Sequence, residues 1–139
     1  MVSTFRSRLI KRKQVTSILF ALAAVYDGFL GLAFLLVPSM IFQRFDVTPP
    51  NHFGYVQFPA LLLMIFAWMF ASVAYAPDKN INLIPYGIAL KVAYCSIVFY
   101  YWFTVEIPYV WKPFAIMDFG WIILFAIAYA VLKKSTNSA

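Results

Sequence analysis

The chain has 139 residues, of which 64% are hydrophobic, 20% aromatic and only 12% charged, with a formal net charge of +6. A soluble domain carries about a quarter charged residues, and a chain this apolar (mean hydropathy +0.82) could not cover its surface with polar groups, so its solvent is lipid. The positive charge does not mark a nucleic-acid surface: Arg6, Arg8, Lys11, Arg12 and Lys13 precede the first apolar run, and Lys133 and Lys134 follow the last. Basic clusters flanking spans set topology and contact anionic lipid, and no folded basic face is left for a nucleic acid.

The expected fold is all-α, a single four-helix transmembrane bundle with antiparallel up-down topology. Residues 1–14 form a basic cytoplasmic N-terminal segment. The first span covers about residues 15–37. Its basic start and Ala21-Leu22-Ala23 resemble a signal peptide with a cleavage site, but the apolar run continues to Val37, past that site. Pro38 stops the helix. Met40, Ile41, Phe42 and Phe45, with Gln43, Arg44 and Asp46 between them, suit a short helix lying in the interface. Thr48-Pro49-Pro50-Asn51-His52 is a turn. The second span covers about 58–75, with Pro59 in its first turn. A tight polar connection, Ala76 to Asn82, leads to the third span at about 84–104, with Pro85 near its start. Val105 to Pro113 forms the next loop, and the last span covers about 114–132.

Topology follows from Lys and Arg. Eight lie on the side of both termini and two, Arg44 and Lys112, on the other. Both termini are therefore expected in the cytoplasm and, in a bacterium, the chain in the inner membrane. Phe99 to Phe103, with Tyr55, Phe58, Tyr109 and Trp111, reads as an aromatic belt at the outer interface, with a quinone or pigment slot as the sharper alternative.

In lipid, close backbone approach and interhelical polar contacts drive helix association. Ala21, Ala24, Gly28 and Gly31 make a small-residue stripe on the first span. Ala60, Ala67, Ala71 and Ala74 make one on the second. Both have the spacing of a left-handed bundle seam.

Three ionisable residues interrupt the spans: Asp27, Lys91 and Asp118. A charge at the bilayer centre costs at least about 2.5–3.5 kcal/mol, so each needs a partner. At about 1.5 Å per residue, Asp27 lies roughly 18 Å, and Lys91 roughly 10 Å, from the cytoplasmic end of its helix, and Asp118 roughly 6 Å below the outer end. Asp27 shares its face with Ala24 and Gly31, and Lys91 shares one with Gly87, Tyr94 and Cys95, which points both inward. Lys91 is expected to pair with Asp27; one cation cannot neutralise two carboxylates, so if both acids stay dry one of them is expected to be protonated at neutral pH. The cluster of Asp27, Lys91, Asp118 and Tyr94 is the candidate ligand or proton site, with structural glue as the competing role. Glu106 and Lys112 are expected to form an exposed interfacial pair. His52 stands alone, so neither a metal site nor a bis-histidine haem is expected. Cys95, the single cysteine, reads as a small buried residue. The chain has no P-loop, GxSxG or HExxH motif, so no catalytic residue is assigned and an enzyme is not expected.

Gly28 and Gly31 before Pro38, with Pro59 and Pro85-Tyr86-Gly87 leading the next two helices, resemble the DoxX-like group of small four-helix membrane proteins. The resemblance implies a membrane subunit near quinone or redox chemistry, or an accessory role. Three functional readings follow. The first is a non-catalytic membrane subunit or accessory protein that packs in the bilayer against a larger complex or against copies of itself, with lipids as its other partners. The second is a small transporter or a lipid- or quinone-binding protein built on Asp27, Lys91 and Asp118. The third is a component of a membrane redox enzyme. No cofactor is required, although the second reading admits a quinone or a lipid.

Overall fold

The computed structural model describes residues 2–136, with the side chains of residues 7 and 10–135. Arg6 and Arg8 of the basic cluster lie outside the described side chains. The described elements are α1 (Val2–Leu36), α2 (Pro38–Arg44), α3 (Gly54–Tyr75), α4 (Ile84–Thr104) and α5 (Trp111–Thr136), with one 3-10 turn, Ile81–Leu83, leading into α4. Four of them are long and apolar enough to cross a membrane, over Ile10–Leu36, Gly54–Tyr75, Ile81–Thr104 and Trp111–Ser135. Large apolar side chains such as Phe29, Trp68, Tyr86 and Ile127 point outward from the bundle. An exterior of this kind belongs to an integral membrane protein, because lipid, unlike water, solvates it.

Local chemistry explains where each helix stops. No breaker interrupts Val2–Leu36. Val37 then leaves helical geometry (φ −131°, ψ 44°) as the residue before Pro38. Asp46 adopts φ 52° after α2, a left-handed conformation that Asp tolerates better than most residues. α3 begins at Gly54, four residues before the expected start at Phe58, because the His52 ring caps it. His52 Nδ1 accepts the Gly54 N–H at 3.0 Å. Pro59 consequently sits inside α3, in its second turn. Lacking an N–H, it leaves the Tyr55 carbonyl without its usual helical donor.

At the other end of α3, Asn80 Nδ2 donates to the carbonyls of Ser72 at 2.8 Å and Ala76 at 3.1 Å. This closes the polar connection into a tight cap, and Lys13 of α1 pairs with Asp78 beside it. α5 begins at Trp111, three residues before the expected Phe114, with Pro113 tolerated in its first turn.

α1 packs most extensively on α3, and α4 on α5. α5 also touches α1, and α3 touches α4. The helices thus stand in a ring, with α1 and α4 facing across its centre. Contacts climb α1 as they descend α3: Ser17 donates to the Ala74 carbonyl, Gly28 meets Ala67, and Gly31 meets Ala60. Lys91–Asp118 and Cys95–Ala115 run in opposite senses along α4 and α5 in the same way.

The small-residue seam occupies only part of the α1–α3 interface. A Cβ on Gly31 would stand 2.8 Å from the Ala60 carbonyl oxygen, so the backbones meet there. Ala24, Gly28, Gly31, Ala60, Ala67 and Ala74 lie on or beside this interface, but Ala21 and Ala71, expected in the stripe, face outward. The reason is Phe70. Its ring enters the bundle centre 5.9 Å from Phe20 and 5.1 Å from Phe125, and Phe20 stacks on Phe125 at 4.6 Å. Around these rings the buried face of α3 turns to Phe70 and Val73, and that of α1 to Phe20 and Ala23.

Candidate functional site

Above the aromatic core the bundle centre turns polar. Lys91 follows Gly87 by one turn on the inner face of α4, where Gly87 accommodates the Phe70 ring. One turn further, Cys95 Sγ donates to the Ala115 carbonyl at 3.4 Å, and Tyr94 Oη reaches the Trp111 carbonyl at 3.4 Å. These contacts fasten α4 to α5 and carry Asp118, one turn beyond Ala115, to the level of Lys91. Asp27 arrives from the opposite side of the ring. α1 and α4 do not pack closely there, and the long Lys91 side chain spans the gap.

Lys91 Nζ lies 2.5 Å from Asp27 Oδ1 and 3.1 Å from Asp118 Oδ1. The side chains of Asp27, Lys91 and Asp118 are 0%, 1% and 9% exposed, so water does not screen the charges. Counted as ionised, one ammonium faces two carboxylates and the cluster sums to −1. Lys91 Nζ also stands 5.1 Å from the centre of the Tyr26 ring, within cation–π range.

The cluster leaves polar atoms unsatisfied. Asp27 Oδ2, Asp118 Oδ1 and the Tyr26 hydroxyl are buried without a hydrogen-bond partner, as is Trp121 Nε1 outside the cavity lining. The Tyr26 hydroxyl lies beside the Asp118 carboxylate without forming a well-shaped bond. Orphaned buried groups cost about 1–3 kcal/mol each, so such a group implies a missing partner.

That partner has room. A cavity of about 450 Å³ begins at Asp27, Lys91 and Asp118 and extends toward the α2 end of the bundle. Tyr26, Leu30 and Phe34 of α1 form one wall, and Tyr55, Val56 and Pro59 of α3 form another. Tyr94 of α4, with Trp111 and Phe114 of α5, forms the third, and Phe42 of α2 contributes from the end. The volume falls in the range of small-molecule sites, whose usual design is an apolar body with a few convergent polar groups. The glycine seam helps shape it: Gly31 holds α3 against α1 at Ala60, which fixes the Tyr55–Pro59 turn beside Leu30 and Phe34.

All four residues singled out for this cluster, Asp27, Lys91, Asp118 and Tyr94, line the cavity. Tyr55 and Trp111 belong to the aromatics for which a slot is the sharper reading of the sequence, whereas sequence reasoning missed Tyr26 and Phe34. Tyr26 adjoins an intramembrane Asp, which is a usable signal, but Phe34 carries none among so many aromatics. The expected Glu106–Lys112 pair does not form among the described residues. Lys112 Nζ instead stands 5.0 Å from the Trp102 ring centre and 5.8 Å from that of Tyr109. Aromatic faces offer a partly buried cation a partner that needs no reach across the loop to Glu106. No protein-family model, curated protein or solved structure matches the chain.

Proposed function

We propose that the chain is a membrane-embedded binding protein, of carrier or accessory type, for a small amphipathic molecule. The ligand's apolar body fills the cavity and its polar head reaches Lys91, Asp27 and Asp118. The observation that carries this is the coincidence of three things at one place: a cavity of about 450 Å³, a buried ion cluster at its inner end, and polar atoms there without partners. Purely structural glue would favour closure of the space and satisfaction of the polar atoms, because voids and orphaned groups both cost stability. The order of the sequence readings therefore reverses. A subunit that only packs laterally has no use for a cavity that ends on buried charges, and the outward aromatics are accounted for by lipid.

The same proposal puts both termini on the cytoplasmic side, from the eight-to-two imbalance of Lys and Arg. The cavity then lies in the outer half of the bilayer.

Leu30→Trp tests the reading by filling the cavity without touching a charged group. Native mass spectrometry of protein incubated with a lipid-soluble cell extract should show a small-molecule adduct on the wild type and none on Leu30→Trp. An adduct of equal abundance on both, or none on the wild type, contradicts the proposal.

A further inference from the structure

We infer that the head group this site takes is a protonated amine, so that the ligand is a lipophilic organic cation bearing N–H donors. The inference rests on the reading of the cavity as a ligand site and assigns its chemistry.

Charge comes first. With both acids ionised, Asp27 and Asp118 against Lys91 leave one negative charge in a region that lipid and buried aromatics keep at low dielectric, a charge that either a proton on one carboxyl or a bound cation removes. A monovalent cation completes the set, whereas an anionic head would add a third negative charge. Hydrogen bonding comes second. Lys91 donates a hydrogen bond to Asp27 Oδ1 and stands in ion-pair contact with Asp118 Oδ1, and that Asp118 oxygen, like Asp27 Oδ2, is buried without a hydrogen-bond donor. Asp27 is fully buried behind the inner end of the cavity, whereas Asp118, with its side chain 9% exposed, is the carboxylate that meets the space. An N–H donor entering from the cavity meets the Asp118 carboxylate and supplies the bond it lacks. An acceptor-only head, such as a quinone carbonyl or an ester, could accept from the Tyr26 hydroxyl but would leave the Asp118 carboxylate without a donor and turn its remaining lone pairs toward two carboxylates. The walls come third. Tyr26, Phe34, Tyr94 and Trp111 present aromatic rings around the space, and ring faces attract desolvated cations while accepting apolar bodies. Lys91 already uses the Tyr26 face in this way. Walls this apolar give a hydrated inorganic cation nothing to replace its water, so the cation must carry its own apolar body.

The test compares three ligands that share one body and differ in the head: 4-phenylbutylammonium, 4-phenylbutanol and 4-phenylbutyrate. Each is titrated by calorimetry into the full chain in nanodiscs of zwitterionic lipid, with empty nanodiscs as the blank. The ammonium compound should bind saturably and about tenfold or more tighter than the alcohol, with the carboxylate weakest. Asp118→Asn should bring the ammonium and alcohol affinities together, and Leu30→Trp should abolish binding of both. The central comparison needs only the wild-type chain, so a variant that fails to fold does not remove it. Saturable, Leu30-dependent binding in which the alcohol or the carboxylate equals or exceeds the ammonium overturns the head-group assignment and leaves the cavity reading intact. Absence of saturable binding by all three overturns both.

Discussion

Lys91 is the residue on which the centre of the molecule turns. Its ammonium serves two carboxylates that would otherwise face each other across a water-poor interior. Lys91→Met should therefore lower stability by about 3 kcal/mol or more, since removing one member of a buried ion pair strands the other. Adding Asp27→Asn to Lys91→Met should recover part of that loss, and thermal unfolding of the three proteins in one detergent reads both effects. A result in which the double variant is the least stable would mean that the two side chains do not depend on each other. Tyr26 separates binding from stability. Its hydroxyl is buried without a partner, so Tyr26→Phe should leave the melting temperature unchanged or raise it, while weakening ligand binding at the cavity. At this scale much was legible in the sequence. Asp27, Lys91 and Asp118 stood out because a charge in an apolar run is costly wherever it lies, and helical spacing put Asp27 and Lys91 on inward faces. Tyr26 was not legible, because a tyrosine next to an intramembrane acid has many ordinary uses.

At the scale of the elements, the glycines separate close approach from mere small size. A Cβ on Gly31 would come within 2.8 Å of the Ala60 carbonyl oxygen and 2.9 Å of Met64 Cγ, whereas one on Gly28 would meet Ala67 at an ordinary 3.5 Å. Gly31→Ala should thus destabilise the bundle by about 1–3 kcal/mol through overpacking against backbone. Gly28→Ala should be neutral or stabilising by up to about 1 kcal/mol, as helix propensity favours Ala. Melting temperatures of the two variants, measured side by side, should move apart in that order. The spacing of small residues alone could not make this distinction. It grouped Ala21 and Ala71 with the others, although both face outward, because the turn of the seam is set by where the large Phe70 ring inserts. Helix ends were misread for a related reason. Hydropathy starts α3 at Phe58, but the ring of a polar residue, His52, caps it four residues earlier.

At the scale of the whole molecule the bundle divides into two unlike parts. One is a dense aromatic core around Phe20, Phe70 and Phe125; the other is an apolar cavity that ends on the ion cluster. The division gives the charges a closed floor on one side and sets Asp118, the least buried of the three, at the end of the cavity on the other. Four apolar runs made the bundle legible from composition, but the cavity depends on how bulky side chains meet in three dimensions, which no periodicity encodes. Orientation in the membrane has its own test. Alkaline phosphatase fused within the Thr48–His52 turn should be active, and the same enzyme fused at the C-terminus inactive; the reverse pattern would invert the proposed topology. The most direct test of the account as a whole is a solid-state NMR measurement in lipid bilayers on protein carrying 15Nζ-lysine and 13Cγ-aspartate. It is made in a Lys13→Gln background, which removes the surface pair with Asp78. Strong nitrogen–carbon dipolar dephasing should remain, from the Lys91 amine held against the Asp27 and Asp118 carboxyls; loss of that dephasing would contradict a buried ion cluster at the heart of this protein.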